Sequence, residues 1–337
     1  MCAFEGSTPR ALVFAAGLGT RLKPLTDTMP KALVPVSGRP LLDHVLRKLQ
    51  AAGIRESVVN VHHFADRIIG WLAAHPVEGL SVAVSDERDF LRETGGGIRY
   101  AEPLLLSGPK APAGRTEGRF LVHNVDILSN LDLRRFASQA PADALATLAV
   151  SDRKTQRYFL FKEEDSVSEA AAGGRGNAPS APVVRPDGPD PLLPVSPSTR
   201  LRLVGWTNVA TGEVRTPFPD LDVSACRKLA FSGIHLISNR IFDVFREYDA
   251  ACDPSASPQA ASVRPQGPSV RSYGDLPSVV GPTPLGERFS ITDFYLRVCA
   301  EYPIYGIVPP DFRMIDVGKL DTLAAAEDFL RCEGRKG

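Results

Sequence analysis

Residues 12–31 read LVFAAGLGTRLKPLTDTMPK, and this stretch decides how the rest of the chain is interpreted. Its first residues are apolar and fit a strand that is buried on both faces of a sheet. Gly17 and Gly19 follow at once, and glycines in that place let backbone N–H groups approach an anion closely. Arg21 and Lys31 add a planar guanidinium and a compact ammonium group, which bind phosphate oxygens. The stretch therefore predicts a loop that holds a polyphosphate.

Other interpretations of the two glycines compete with this one. A dinucleotide fingerprint needs a third glycine where Leu22 stands, and no acidic residue ends the next predicted strand. A P-loop needs Gly-Lys-Ser/Thr after the second glycine, and this chain lacks it. A tight turn with two solvated cations is the plain alternative, and a lone pair of glycines would favour it. Two cations and two prolines in the same loop favour the polyphosphate site instead.

The composition is that of an ordinary soluble globular protein, with 43% hydrophobic and 23% charged residues among 337. The 39 basic residues balance 39 acidic ones, so no net field favours nucleic acid or an anionic membrane. No apolar run is long enough to span a membrane, and residues 1–10 lack the pattern of a signal peptide. The five cysteines are scattered without CxxC spacing, which argues against disulfides and zinc and for a cytoplasmic protein. Nothing in the sequence predicts the oligomeric state.

The segments after the loop alternate between helix and strand patterns. Apolar residues recur at helical spacing over residues 41–53, and a second helix is predicted for 64–74. Strands are predicted for 57–61 and 80–84, with short connections between the elements. Such alternation predicts an α/β protein whose parallel sheet is covered by helices on both faces.

Two long segments differ from the rest in composition. Residues 163–200 and 253–284 are rich in Ala, Gly, Ser and Pro and show no apolar period. Segments so poor in buriable surface do not offset their ordering entropy. Because strand patterns resume after each segment, we expect two flexible insertions within a single domain that spans residues 1–337.

Two acidic residues stand where strands end. Residues 120–126 read as a buried strand closed by Asp126, whose carboxylate is costly to bury without a cation, a donor or water. Helix capping is the alternative, but Asp132 is better placed for it. Asp126 is therefore predicted to bind Mg²⁺, which proteins hold with one or two carboxylates and substrate phosphates. Asp316, beside Gly318, ends another short strand, although a solvated turn is the plain interpretation there.

Three further features each have a plain and a functional interpretation. Residues 93–97, ETGGG, form either a flexible turn or bare backbone against which a base or sugar lies. The pair His62-His63 is more often an ordinary polar loop than a ligand site. Gly233, inside a strand predicted over residues 228–237, indicates either a bulge or a close approach of another group.

Residues 17–31 resemble the signature of the sugar-1-phosphate nucleotidyltransferases, G-x-G-T-R-x-x-P-L-T followed by P-K. The resemblance implies a Rossmann-like, mostly parallel mixed sheet with helices on both faces, of the nucleotide-diphospho-sugar transferase type. It also implies that a nucleoside triphosphate and a sugar 1-phosphate react in the presence of Mg²⁺ to give a nucleotide sugar and pyrophosphate. The segments ETGGGI, NVD, FSGIHLI and IDVG are most similar to the branch that transfers a uridylyl group to N-acetylmuramate 1-phosphate. The alternatives are a guanylyl- or cytidylyltransferase for mannose 1-phosphate or another hexose 1-phosphate, and a non-catalytic regulatory relative.

The resemblance also assigns roles to residues. Asp316 joins Asp126 as a ligand of Mg²⁺, and catalytic roles fall to Arg21, Lys31 and Asp126. Val125 stands where relatives commonly have glycine, which leaves the identity of the sugar open. The residues implied to bind the nucleotide are Ala15, Gly17, Gly19, Thr20, Arg21, Lys31, His62, Thr94, Gly95 and Gly96, and those implied to bind the sugar are Asn124, Arg157 and Gly233.

Overall fold

The computed structural model describes residues 9–107, 118–165, 199–252, 269–271 and 283–333. Within these ranges the chain forms one large mixed sheet, two small ribbons and helices that pack on the large sheet. The strands are β1 Arg10–Phe14, β2 Pro35–Val36, β3 Arg39–Pro40, β4 Glu56–Val61, β5 Ser81–Asp86, β6 Arg119–Asn124, β7 Ile127–Ser129, β8 Ala146–Ser151, β9 Arg157–Asp165, β10 Thr199–Asn208, β11 Glu213–Thr216, β12 Arg227–Ser238, β13 Ser269–Arg271, β14 Ile304–Ile307 and β15 Met314–Asp316.

The α-helices cover the sheet and are short. The longest of them has 13 residues, and no helix in the described ranges is long and apolar enough to cross a membrane. Three short 3₁₀ helices, Thr20–Leu22, Leu25–Asp27 and Lys31–Leu33, follow β1. The α-helices are α1 Leu41–Ala51, α2 Ala65–Ala74, α3 Glu93–Tyr100, α4 Glu102–Leu106, α5 Leu133–Ser138, α6 Ile241–Cys252, α7 Ile291–Val298 and α8 Asp321–Glu333.

The large sheet has eleven strands in the order β13-β11-β10-β14-β8-β12-β6-β1-β4-β5, with β9 paired to β10 and β12. The four strands β6, β1, β4 and β5 are mutually parallel, whereas β12 is antiparallel to both of its neighbours β6 and β8. The carboxyl ends of the parallel strands share one edge of the sheet, and the loop after β1 emerges there. Ligands of open α/β sheets commonly bind at that edge.

Both faces of the sheet are covered by helices. Val13 packs in a cluster with Leu46 of α1 and Ala326 of α8, whereas its neighbour Leu12 packs in a second cluster with Phe294 of α7. Successive side chains of a strand point to opposite faces, so the two clusters lie on opposite sides of β1. This arrangement confirms the predicted α/β fold with a sheet buried on both faces.

One local prediction near the sheet edge is wrong. Residues 93–97 are not a loop but the first turns of α3. Three glycines disfavour a helix, but Gly95 is needed here because a Cβ added to it would lie 2.3 Å from the ring of Phe289.

The insertions predicted at residues 163–200 and 253–284 lie largely outside the described residues. At the margins of the first one, Asp165 of β9 lies opposite Thr199 of β10, so the two strands continue into the predicted insertion. Within the second, β13 pairs with β11 at the edge of the large sheet.

Candidate active site

The loop after β1 is anchored by Asn60 of β4, which is 1% exposed. The side-chain oxygen of Asn60 accepts hydrogen bonds from the backbone N–H groups of Ala15, at 2.7 Å, and Ala16, at 3.3 Å. Gly17 comes next, and a Cβ added to it would meet no atom within 4 Å. The loop backbone is therefore fixed where it leaves the sheet and open at Gly17.

Gly19 turns this loop back on itself. Its φ of 64° lies in the left-handed region, and an added Cβ would lie 2.8 Å from Cγ2 of Thr26. The Thr26 hydroxyl also donates a hydrogen bond of 2.8 Å to the carbonyl oxygen of Gly19. Thr20 and Arg21, which follow, are exposed on the first 3₁₀ helix.

Lys31 and Asp126 are in direct contact. The ammonium group of Lys31 donates a hydrogen bond to a carboxylate oxygen of Asp126, and the two side chains are 10% and 19% exposed. Lys31 begins the third 3₁₀ helix, whereas Asp126 lies in the turn between β6 and β7. A residue predicted to bind the triphosphate therefore touches a residue predicted to bind the metal.

A two-stranded ribbon brings Asp316 to the same place. Strands β7 and β15 pair antiparallel with Asp316 opposite Ile127. The backbone N–H of Val317 also donates a hydrogen bond of 2.8 Å to the carbonyl oxygen of Asp126. The ribbon joins the two strand-end aspartates, which are far apart in the sequence.

Asp316 lies near both negatively and positively charged side chains. Burial raises the pKa of the Asp316 carboxyl group, and the nearby carboxylate of Asp126 raises it further. A Cβ added to Gly318 would lie 2.7 Å from Oδ1 of Asp316 and 2.8 Å from Nη2 of Arg21, which places this guanidinium beside the carboxylate. Three cations act against the rise in the pKa of Asp316: Lys31, Arg21 and Arg153.

The two aspartates fit a magnesium ion that arrives with a phosphate ligand. Asp126 and Asp316 are close enough for one charge to raise the pKa of the other, and a divalent cation would relieve that repulsion. Over the described part of the chain, no group of three or more His, Cys, Asp or Glu side chains could hold a metal. Mg²⁺ commonly uses one or two carboxylates and completes its shell with water and substrate phosphates. The donor set therefore suits Mg²⁺ and does not suit a metal held by protein ligands alone.

A cavity of about 420 Å³ extends from the loop to Asp126. Phe14 and Leu91 supply apolar wall, and Lys31 and Asp126 supply charge. A cavity of this size that combines apolar wall with polar side chains is typical of a small-molecule site. The predicted site residues that line it are Ala15, Gly17, Lys31, Thr94, Asn124 and Asp126.

Gly95 and Gly96 do not line the cavity, and their N–H groups are already occupied. Both backbone N–H groups donate to the carbonyl oxygen of Phe289, at 2.8 and 3.2 Å. Thr94 does face the cavity, and its hydroxyl oxygen accepts a hydrogen bond of 3.0 Å from the N–H of Ile291. The glycines therefore let the segment before α7 pack on α3. A contact of Gly95 or Gly96 with the nucleotide stays a prediction.

Glu87, which was not predicted as a site residue, lines the cavity, whereas the predicted nucleotide residue His62 does not. Nδ1 of His62 lies 2.7 Å from the carbonyl oxygen of Glu87, and His62 does not line the cavity. Glu87 does line it, is 0% exposed, and accepts a hydrogen bond of 3.0 Å from Nδ2 of Asn60. Burial raises the pKa of the Glu87 carboxyl group. A polar residue inside an apolar strand and an acid at a strand end were the signals that could have identified Asn60 and Glu87.

The three predicted sugar residues fall in two places. Asn124 lines the cavity. A Cβ added to Gly233 would lie 2.6 Å from Nδ2 of Asn124, so the two residues are in close contact. Gly233 has a φ of 79° and lies where the pairing of β12 with β8 shifts register, so it provides both the bulge and the close approach. Arg157 lines a different cavity. Arg153, which donates a hydrogen bond of 3.1 Å to the carbonyl oxygen of Phe231, was not predicted as a site residue.

Comparisons with known proteins point to one family. Residues 10–165 match the family model described as Nucleotidyl transferase. The N-acetylmuramate alpha-1-phosphate uridylyltransferase of Caulobacter vibrioides is 52% identical over 101 residues, which cover 29% of this chain and 42% of that protein. The enzyme of the same name from Neisseria meningitidis is 34% identical over 173 residues, covering 50% of this chain and 71% of that protein. A mannose-1-phosphate guanyltransferase of Candida albicans is 30% identical over 145 residues, covering 43% and 38%. The chain spans less than half the length of the Caulobacter and Candida relatives.

Solved structures share the fold at low sequence identity. UDP-glucose pyrophosphorylase complexed with UDP-glucose superposes with a TM-score of 0.57 at 13% identity, covering 97% of this chain and 100% of that one. HddC from Yersinia pseudotuberculosis complexed with GMP-PN superposes with a TM-score of 0.53 at 17% identity, covering 96% and 100%. At such identities the likeness shows the fold alone, and it confirms the predicted type of mixed α/β sheet.

Proposed function

This chain belongs to the nucleotidyl transferase family, and from that premise we propose that it joins a nucleoside triphosphate to a sugar 1-phosphate and releases pyrophosphate. The observation that carries the proposal is the cluster of Lys31, Asp126 and Asp316, of which Lys31 and Asp126 line the cavity. Arg21 lies beside Asp316 in the same cluster. A non-catalytic relative would need neither both cations nor both carboxylates, and this chain keeps all four.

The cavity gives the nucleotide an orientation. Its apolar wall at Phe14 and Leu91 suits a base and ribose, whereas Lys31 and Asp126 mark the phosphate end. The open backbone at Gly17 lets phosphate oxygens approach the loop without a side chain in the way. Lys31 and Arg21 then neutralise charge on the triphosphate and on the leaving pyrophosphate.

Asp126 and Asp316 would hold Mg²⁺, which would supply Lewis-acid polarisation of the α-phosphate. With the Asp126 carboxylate engaged in this way, Lys31 would be free to turn its ammonium group to phosphate oxygens. The repulsion that raises the pKa of Asp316 would be relieved as well. The two aspartates therefore contribute binding and orientation.

The reaction is an in-line displacement at the α-phosphorus. A phosphate oxygen of the sugar 1-phosphate forms the new bond to this atom as the bond to the bridging oxygen of pyrophosphate breaks. The attacking phosphate is already ionised at neutral pH, so no side chain has to remove a proton. The rate then comes from positioning and from charge stabilisation, as in phosphoryl transfer generally. We propose that Asn124 and Arg153 contact the incoming sugar phosphate, because Asn124 lines the cavity and Arg153 is close enough to Asp316 to lower its pKa.

We propose uridylyl transfer to an N-acetylmuramate-type sugar phosphate as the specific reaction. The identities of 52% and 34% to two proteins named for that activity support it. Guanylyl transfer to mannose 1-phosphate is the second candidate, because the Candida relative carries that name at 30% identity.

Each cysteine in the described part of the chain is a free thiol, which supports the cytoplasmic setting expected from the sequence.

The test is an assay of pyrophosphate release by the full chain. UTP, GTP, CTP, ATP and dTTP are each combined with N-acetylmuramate 1-phosphate, mannose 1-phosphate and glucose 1-phosphate, with and without Mg²⁺. We expect release that needs Mg²⁺ and is fastest with UTP and N-acetylmuramate 1-phosphate. Faster release with GTP and mannose 1-phosphate would select the second candidate, and no release from any pair would reject the proposed function.

A further inference from the structure

A second cavity lies next to the first and has no role in the mechanism above. It encloses about 380 Å³, which is the size of a small-molecule site and suits a substituted sugar ring. Ser290, before α7, lines both cavities, so the second one adjoins the proposed site of reaction. Its lining residues are supplied by β9, β10, β11 and α7: Arg157, Trp206, Asn208, Glu213, Arg215, Ser290, Thr292, Asp293 and Leu296.

The two acidic side chains of this cavity are both paired with one arginine. Nε of Arg215 donates a hydrogen bond of 2.6 Å to Glu213, and Nη1 of Arg215 lies 3.5 Å from a carboxylate oxygen of Asp293. The Arg215 guanidinium also lies over the ring of Trp206, 5.0 Å from the ring centroid. Arg215 is therefore engaged by both acidic side chains and by the ring of Trp206.

Arg157 is the other cation that lines the cavity, and unlike Arg215 it is not paired with an acidic side chain of the described residues. It begins β9 and lies opposite Asn208 of β10, so the sheet places it at the cavity wall. Its side chain is exposed, and its guanidinium makes no hydrogen bond or ion pair with any other residue in the described ranges. A free guanidinium inside a cavity offers a planar, two-pronged donor for a carboxylate.

We propose that Arg157 is a specificity-determining residue that binds a carboxylate carried by the sugar. The inference rests on the proposed function and names the substrate class of the same site: sugar 1-phosphates that carry an acidic substituent. The sugar phosphate lies on the Asp126 side of Ser290, and the acidic substituent lies in the second cavity. Asn208 and Thr292 supply further polar groups there for the sugar.

The test compares two substrates that differ by one acidic group. N-acetylmuramate 1-phosphate carries a lactyl ether with a carboxylate, and N-acetylglucosamine 1-phosphate is the same sugar without it. The ratio of their kcat/KM values is measured by pyrophosphate release for the full-length wild type, Arg157→Met and Arg157→Lys. Lys154→Met is the matched control, because Lys154 is an exposed cation in the same segment that lines neither cavity.

We expect the wild type to prefer the acidic sugar, and Arg157→Met to lower the ratio by about tenfold to a hundredfold, as loss of a charge-assisted pair does. Arg157→Lys keeps the charge without the fork and should give an intermediate ratio. The control should keep the wild-type ratio.

Three results would overturn the inference. They are a wild type that prefers the neutral sugar, an Arg157→Met variant with an unchanged ratio, and a Lys154→Met variant that lowers the ratio as much as Arg157→Met. Each of these leaves the proposed function standing as long as pyrophosphate is released. A wild type that releases pyrophosphate from neither of these two sugars, with UTP or with any other nucleoside triphosphate, would overturn the inference. The proposed function is rejected as well only if no pair in the full panel of nucleoside triphosphates and sugar phosphates releases pyrophosphate.

Discussion

The ammonium group of Lys31 donates a hydrogen bond to the carboxylate of Asp126, so one proposed ligand of the triphosphate covers one proposed ligand of the metal. The two side chains are only 10% and 19% exposed, and neither charge is left alone in this state. If Mg²⁺ and a nucleoside triphosphate bind as proposed, Asp126 would exchange Lys31 for the metal, and Lys31 would exchange Asp126 for phosphate oxygens.

Lys31→Met tests this exchange. Without the competing ammonium group, Asp126 and Asp316 should bind Mn²⁺ about three- to tenfold more tightly in the absence of substrate, because desolvation offsets much of the attraction in a largely buried ion pair. Pyrophosphate release should fall by about a hundredfold or more, because a charge that stabilises the leaving group is lost. Calorimetry measures the first effect. Lys23→Met is the control, since Lys23 is a solvent-exposed cation paired with Asp27 in the same loop. An unchanged or weaker affinity for Mn²⁺ in Lys31→Met would contradict the exchange.

Asp126→Asn and Asp316→Asn test the metal pair. Each variant should lower kcat/KM for pyrophosphate release by about a thousandfold or more, since metal stabilisation of phosphate charge contributes several kcal/mol. Asp328→Asn, on the exposed face of α8, should have no effect. Circular dichroism and thermal unfolding check that each variant folds. Either site variant with near wild-type, Mg²⁺-dependent activity would remove that aspartate from the metal site.

Gly95→Ala tests the packing of α3. The new methyl group would lie 2.3 Å from Phe289, so the free energy of unfolding should fall by about 1–3 kcal/mol. Gly70→Ala is the matched control, because Gly70 is also helical but an added Cβ there meets no atom within 4 Å. It should raise the free energy of unfolding by about 0.5–1 kcal/mol. Urea unfolding measures both, and equal effects of the two substitutions would contradict the tight packing at Gly95.

His235 should make stability fall in acid. Burial lowers its pKa from the ordinary 6.5 to about 3, and Nδ1 lies 2.8 Å from the hydroxyl oxygen of Tyr295. As the pH falls below 6.5 the unfolded chain binds this proton first. The stability from His235 is therefore full above pH 6.5 and decreases toward pH 3, by on the order of 2–4 kcal/mol.

A double variant, His235→Phe with Tyr295→Phe, removes both buried partners together and should unfold with a shallower dependence on pH. Urea unfolding at pH 7, 5.5 and 4 gives the comparison. His123, whose pKa burial lowers to about 4, remains in the double variant. The stability of the double variant should therefore still fall in acid, but less steeply than that of the wild type. A double variant whose stability falls with pH as steeply as the wild type would show that His235 does not titrate in this range.

The positions of the charged residues could be predicted because strand ends are readable in a sequence. Gly17 follows β1 and Asp126 follows β6, and neighbouring parallel strands bring their carboxyl ends together. The elimination of a capping role for Asp126 was also correct, since Asp132 caps α5 by accepting hydrogen bonds from the N–H groups of Arg134 and Arg135. Strand-end and helix-capping patterns were sufficient to predict where these residues lie in the fold.

Other features depend on contacts that no local rule contains. A glycine-rich helix is disfavoured by about 1 kcal/mol at each glycine, and only the segment around Phe289 makes the small residues of α3 necessary. The anchoring of the loop by Asn60 depends on the register of β4 against β1. The separation of Arg157 from Asn124 depends on two cavities that meet at Ser290. Single-residue propensities describe none of these relationships.

The ribbon of β7 and β15 has a consequence for protein synthesis. Asp126 and Asp316 stand far apart in the order of translation, and the ribbon that joins them requires residues 314–316. A nascent chain that ends at residue 165 already holds the loop, Lys31 and Asp126 but not the second carboxylate. The pair is therefore complete only when nearly the whole described chain has been made. A half-finished polypeptide therefore lacks both the second aspartate and Ser290, which also lines the cavity.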